Sequence, residues 1–232
     1  MEELRLESFE QFHREVIDIL PRGTLFRGVS SSEYQLIPSV GRYLNSYLET
    51  GKSKDMLLAN EQFALEIFQK EAVIHLGRTT QDPWELLILA QHHGLPTRLL
   101  DWSHNPLVAL FFAVCSDRKS DAALYALMPG IILDVMDTDE VRGHPFDLSE
   151  VRQLCPEHYA PRIAAQASIF TVHSSPTDPW CPSDMKRFVV PLEHRSKLRE
   201  TLYKYGVTAK TLFPDLDGLC RTIRYLKFGG DA

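Results

Sequence analysis

Gln91-His92-His93-Gly94-Leu95-Pro96-Thr97-Arg98-Leu99-Leu100-Asp101-Trp102-Ser103, with the Asn105-Pro106 and Ala109-Leu110-Phe111-Phe112-Ala113 that follow, decides how the 232-residue chain is read. Gly94 and Pro96 end the helix that precedes them. Thr97–Leu100 reads as a short strand. Asn105 caps a new helix with Pro at its first position. That helix is apolar on every face from Leu107 to Ala113, so it belongs at the centre of a core. A strand between two apolar helices thus carries histidines, an arginine, an acid and hydroxyls into a dry setting, where polar groups need partners or a ligand.

Working outward, Ser8 and Gln11 form a capping-box pattern ahead of Phe9, Phe12, Val16, Ile19 and Leu20 at helical spacing, and Gly23 marks the stop. Thr24–Val29 reads as a strand. Asp55 to about Leu76 is expected to be a helix with Phe63, Ala64, Ile67, Phe68 and Ala72 on one face. Glu61, Glu66, Lys70 and Glu71 are then left to water or to partner residues. Asp82-Pro83-Trp84-Glu85 opens a buried helix. Ala122–Met128, Ile131–Val135, Ala167–Val172 and Arg187–Val190 are strand candidates. Three prolines make 174–184 an exposed loop able to close over a site. A charged helix over 193–205 stops at Gly206, and a last one begins near Asp215 with Leu219, Ile223 and Leu226 inward. Helices dominate the first half and strands the second. The expected fold is α+β, a helical N-terminal half packed on a mixed or antiparallel sheet. No linker divides the chain, so 1–232 reads as a single domain.

Hydrophobic residues form 44% of the chain and charged residues 24%, a globular composition. A net charge of −6 argues against nucleic acid as the main partner. The apolar run at 106–115 is too short to span a bilayer, and Met1-Glu-Glu lacks the basic start of a secretory signal, so a cytoplasmic protein is expected. Reduced thiols follow for Cys115, Cys155, Cys181 and Cys220. Cys155, His158, His173 and Cys181 carry zinc-ligand chemistry, but their loose spacing argues for no metal. Nucleophile-elbow, P-loop and dinucleotide-fingerprint motifs are missing.

Three clusters remain as site candidates: Phe26-Arg27-Gly28, the 91–103 stretch, and Arg162-x3-Gln166-x3-Phe170. Together with Tyr34-Gln-Leu-Ile-Pro38, Phe170-Thr-Val-His173 and Leu212-Phe-Pro-Asp-Leu-Asp217-Gly218, they resemble the FRG domain family over roughly residues 8–226. Ser168 stands where family members commonly carry Gly. The family occurs in bacteria and phages, in places in toxin or defence contexts. Its layout is in turn similar to the ADP-ribosyltransferases, which place an Arg, then a hydroxyl or His, then usually a Glu on successive core strands. Arg27, Thr97 or Ser103, and Gln166 follow that order, with a neutral Gln where the acid would be. The resemblance implies a nucleotide or dinucleotide ligand, with NAD as substrate and no further cofactor, and an ADP-ribosyltransferase or NAD glycohydrolase. Arg27, Asp101 and Gln166 would be catalytic: Arg27 on phosphate, Asp101 on developing positive charge, Gln166 on ribose. Arg27, Gly28, His92, His93, Thr97, Arg98 and Ser103 would line the binding site.

Each residue also has a structural account. Arg27 has Asp101 or Glu33 as candidate ion-pair partners. His92 and His93 suit a helix C-terminus. Asp101 has a capping role or Arg98 open to it. Trp102 reads as a core anchor, Gln166 as a partner for a backbone edge, and Asp215 as an N-cap with Asp217 in the first turn. The rival function is a non-catalytic module that recognises a nucleotide, a phage component or a protein partner.

Overall fold

The structure, a computed structural model, describes residues 2–76, 80–116, 118–130, 132, 134, 143–156 and 165–229. Among the described residues seven strands form one sheet: β1 (Glu2–Arg5), β2 (Leu25–Val29), β3 (Leu99–Ser103), β4 (Ala122–Leu127), β5 (Arg152–Leu154), β6 (Ser168–Val172) and β7 (Met185–Val190). Their order is β1-β7-β4-β2-β3-β6-β5. β1 runs parallel to β7, and the other neighbours are antiparallel. The helices are α1 (Phe9–Phe12, continued by a π-helical His13–Asp18), α2 (Leu44–Glu49), α3 (Lys54–Glu71), α4 (Val73–Leu76), α5 (Pro83–His92), α6 (Pro106–Val114), α7 (Leu192–Lys204), α8 (Ala209–Leu212) and α9 (Leu216–Phe228). The fold is α+β, with a mixed sheet. The strand read at 131–135 falls largely outside the described residues, as do Arg162 and His158.

Strand alternation sorts the core. Phe26, Leu124, Ala126 and Phe188 face α6, which is sandwiched between the sheet and Leu198 and Leu202 of α7. On the same face, Leu99, Phe170 and Val172 meet α5 and Leu65 of α3. Leu25, Leu100, Trp102, Tyr125 and Ile169 lie on the other face under Leu36 and Trp180. α6 is buried as its sequence demands, and Ala109 is 1% exposed. Among the described residues no helix is long and apolar enough to cross a membrane.

Four expectations are corrected. β3 starts at Leu99 rather than Thr97, because Thr97 is held in the preceding loop: its N–H donates to Ser39 Oγ at 2.9 Å. α3 turns Leu57, Glu61 and Leu65 inward and leaves Phe63 and Ile67 exposed. The cause is Glu61, which pairs with Arg98 inside the protein at 2.8 Å. α9 buries Gly218 and Thr222 and exposes Ile223 and Leu226. The 174–184 loop is exposed at Ser175, Asp178, Pro179, Cys181, Ser183 and Asp184, as read, but it does not lie over the site: Trp180 packs edge-on against Trp102, and its main-chain N–H donates to Leu36 O at 3.0 Å. It covers the sheet face opposite α5 and α6, so it supports the site from behind.

Candidate functional site

β2 and β3 are neighbours but share a single paired position, Phe26 with Ser103. Each keeps a five-position ladder with its other neighbour. Continuing the register would set Gly28 opposite Asp101. Instead the strands part, and a pocket of about 270 Å³ opens between them beneath α5 and α6. Arg27, Gly28, Asp101, Ser103 and Gln166 line it, together with Gln91 of α5 and the apolar Val108, Ala109 and Phe112 of α6.

Arg27 enters this opening from the far side of the sheet, where alternation places it with Leu25 and Val29. Its Nη1 donates to the carbonyl oxygen of Asp101 at 2.5 Å and lies 3.5 Å from the Asp101 carboxylate. The guanidinium therefore takes the main-chain acceptor that the missing ladder leaves over. Among the described residues, both of its hydrogen bonds are made by Nη1, although a guanidinium has five N–H donors. Burial pushes its pKa below the ordinary arginine value, Asp101 pulls it up, and Arg42 pushes it down again. It remains a cation, held beside a carboxylate that is 54% exposed.

Gln91 orders the acid. Its Nε2 donates to both Asp101 oxygens at 3.1 and 3.3 Å, and its Oε1 accepts from the Thr97 hydroxyl at 2.6 Å. The chain Thr97–Gln91–Asp101–Arg27 thus fixes the amide's orientation and holds the carboxylate toward the pocket. Ser103 donates to the Gln166 carbonyl at 2.7 Å and accepts from Asn105 N–H at 3.0 Å, so this hydroxyl ties the end of β3 to the approach to β6. The Gln166 amide donates to Leu212 O at 3.1 Å. Between Gln166 and β6, Ala167 has φ +45°, a left-handed turn that costs an alanine energy. Gly28 has a structural reason to be glycine, since a Cβ there would lie 1.8 Å from Ala109 O.

Behind Arg27, Trp102 Nε1 donates to Thr171 Oγ1 at 2.9 Å, and that hydroxyl lies 2.9 Å from His173 Nε2. Burial, with Arg27 and Arg98 nearby, pushes His173 down to about 3, so the ring is neutral and backs the site without adding charge.

Of the sequence candidates, Arg27, Gly28, Asp101, Ser103 and Gln166 come together at one pocket, with Thr97 one hydrogen bond away. Arg98 does not join them. It is sealed against Glu61, and its guanidinium lies 4.1 Å from the Phe146 ring centre. His93 packs toward Phe68 with ring centres 6.4 Å apart, and neither His92 nor His93 lines the pocket. Sequence reading missed the positioning role of Gln91 and the floor that the apolar α6 provides. Gln91 carried a signal as the amide facing Thr97 and Asp101 across one turn, whereas α6 gave no sign that one edge stays open. Among the described residues no cluster of His, Cys, Asp and Glu is placed to hold a metal.

Residues 22–122 match the family model of the FRG domain. The match holds β2, α3, α5, β3 and α6 and stops before Gln166. No curated protein and no solved structure matches the chain.

Proposed function

We propose that the pocket, built largely by the 22–122 region that matches the FRG domain model, binds a nucleotide, with NAD as the preferred ligand, and cleaves the bond between nicotinamide and ribose. The observation that supports this is the parting of β2 and β3 around a buried arginine and an exposed carboxylate. A fork of N–H donors suits phosphate. Val108, Ala109 and Phe112 offer a flat apolar wall to a ring. About 270 Å³ lies just below the roughly 300–1,000 Å³ of small-molecule sites, so it holds one end of a dinucleotide while the rest lies outside.

In the reaction the C1′–nitrogen bond breaks and the bonding pair leaves with nicotinamide. Asp101 stabilises the positive charge that develops on the ribose. Water or an acceptor nucleophile then adds at C1′ and gives up its proton. Arg27 holds phosphate. Gln91 keeps Asp101 aimed, and Gln166 stands at the ribose edge.

The non-catalytic reading also has an observation in its favour: Ser103, Thr97 and Gln91 already satisfy one another or the backbone. Calorimetric titration with NAD and ADP-ribose, with chromatography for released nicotinamide, separates the two. Binding with release that Asp101→Asn abolishes while affinity stays within about threefold supports catalysis. Binding without release leaves the module. A folded wild type with no affinity for either compound overturns both nucleotide readings.

A further inference from the structure

We infer that the cavity where α7 begins, beside the C-terminal end of α6, is a ligand site separate from the nucleotide pocket and takes the phosphate group of a small molecule. The cavity holds about 250 Å³ and is lined by Ser116, Arg118, Lys119, Arg195, Ser196 and Arg199. Among the described residues no acid lines it. It shares no lining residue with the pocket between β2 and β3. Three of its groups come from one face of α7, since positions 195, 196 and 199 fall together at 3.6 residues per turn. Arg195 and Arg199 are both buried. Like charges at this spacing repel each other, and an anion in the cavity they share turns that repulsion into attraction.

Fixed geometry prepares the cavity. Arg195 Nη1 donates to Arg118 O and Ser120 O at 2.7 and 2.8 Å, and its Nη2 donates to Ser116 Oγ at 2.8 Å and Ser116 O at 3.1 Å. These partners are neutral, so they fix the guanidinium without themselves cancelling its charge. The same bonds anchor Ser116, Arg118 and Ser120, and with them the chain that presents Lys119. The Arg118 guanidinium lies over the Tyr34 ring, 4.9 Å from its centre. Among the described residues the Arg118 guanidinium, the Lys119 ammonium and the Ser196 hydroxyl donate to no protein acceptor, so all three serve a ligand. A guanidinium, an ammonium and a hydroxyl around one cavity suit the several oxygens of a phosphate better than the flat pair of a carboxylate. The volume is below that of most small-molecule sites, so it admits a phosphate with the sugar it esterifies and not a dinucleotide.

Thermal melting and calorimetric titration of the full chain with inorganic phosphate and with ribose 5-phosphate, at constant ionic strength, test this. The wild type should gain stability and bind with a Kd of about 1 mM or tighter. Tighter binding of ribose 5-phosphate assigns the site to a phosphate ester, equal binding assigns it to the free anion, and both support it. Lys119→Glu and Ser196→Asp each place a carboxylate in the cavity, so each should weaken binding of both compounds by about tenfold or more. Lys119→Arg should keep it. Lys119 and Ser196 are exposed, so these variants should retain the wild-type circular dichroism spectrum. Arg27→Ala should still bind phosphate, which separates this site from the nucleotide pocket. A wild type that gains no stability beyond a sodium chloride control overturns the proposal. So does binding that survives both carboxylate variants, or binding that disappears in Arg27→Ala.

Discussion

Two arginines, Arg27 on β2 and Arg98 just before β3, each beside a carboxylate, show how differently one residue pair can be used. Arg98 and Glu61 are closed in, with side chains 4% and 2% exposed and two hydrogen bonds between them. Arg27 and Asp101 are half open: the guanidinium is 14% exposed, the acid 54%, and the closer contact is to a main-chain carbonyl. Burial pushes the Glu61 carboxyl above its ordinary value while Arg98 pulls it down, so that pair holds only as a pair. The lesson is that an ion pair with one partner facing a pocket has capacity for a ligand, and a sealed one has none.

The largest expected effect is on the sealed pair. Glu61→Ala should cost about 3–5 kcal/mol in chemical denaturation, because it strands a buried guanidinium. Glu61→Leu combined with Arg98→Met should recover most of that loss, as apolar replacement of a buried pair does. If the double variant stays as unstable as Glu61→Ala, Arg98 has a role beyond its acid and the contrast breaks.

Arg27→Ala should cost less, about 1.5–3 kcal/mol, since it removes one charged hydrogen bond to Asp101 O. It should also abolish nucleotide affinity measured by calorimetry. Equal stability losses for Arg27→Ala and Glu61→Ala would make the open pair merely another structural one.

His173 lies behind both arginines and gives a pH-dependent comparison. Its pKa is about 3 in the folded protein, so the unfolded chain binds the extra proton first as pH falls. Its contribution is complete above the ordinary histidine value of roughly 6.5 and is lost progressively toward the folded value, by up to about 1.4 kcal/mol per pH unit. Melting curves from neutral pH into this window should show that slope, and His173→Gln should flatten it. The smallest stability change is expected for Asp101→Asn, under about 1 kcal/mol, because its carboxylate is largely solvated. Denaturation midpoints within error of wild type, with nicotinamide release lost, would sharpen the division between the pairs.

Much of the site was legible in the chain. Arg27, Asp101, Ser103 and Gln166 were singled out because polar residues at the edges of apolar runs need partners, and they do converge on one pocket. Arg98 was misread as a ligand residue, since nothing in the spacing showed that Glu61, 37 residues earlier, would reach it. Gly28 was read as the residue that lets a backbone or a ligand approach closely, and the backbone of α6 is what comes close.

The amino-acid order by itself determined where elements begin and end, through caps such as Asp82, Asn105 and Asp215, and it determined that α6 is core, because a helix apolar all round has no alternative. These are local properties, set within a few residues. Tertiary structure alone decided which side of α3 and α9 faces inward. Periodicity gives a stripe but not the location of the protein's body, and a buried Glu61 or a close-packed Gly218 outweighs the leucines. It also decided that β2 and β3 part after one paired position. That opening depends on a guanidinium 74 residues away in sequence taking the place of a ladder hydrogen bond, which no local pattern specifies.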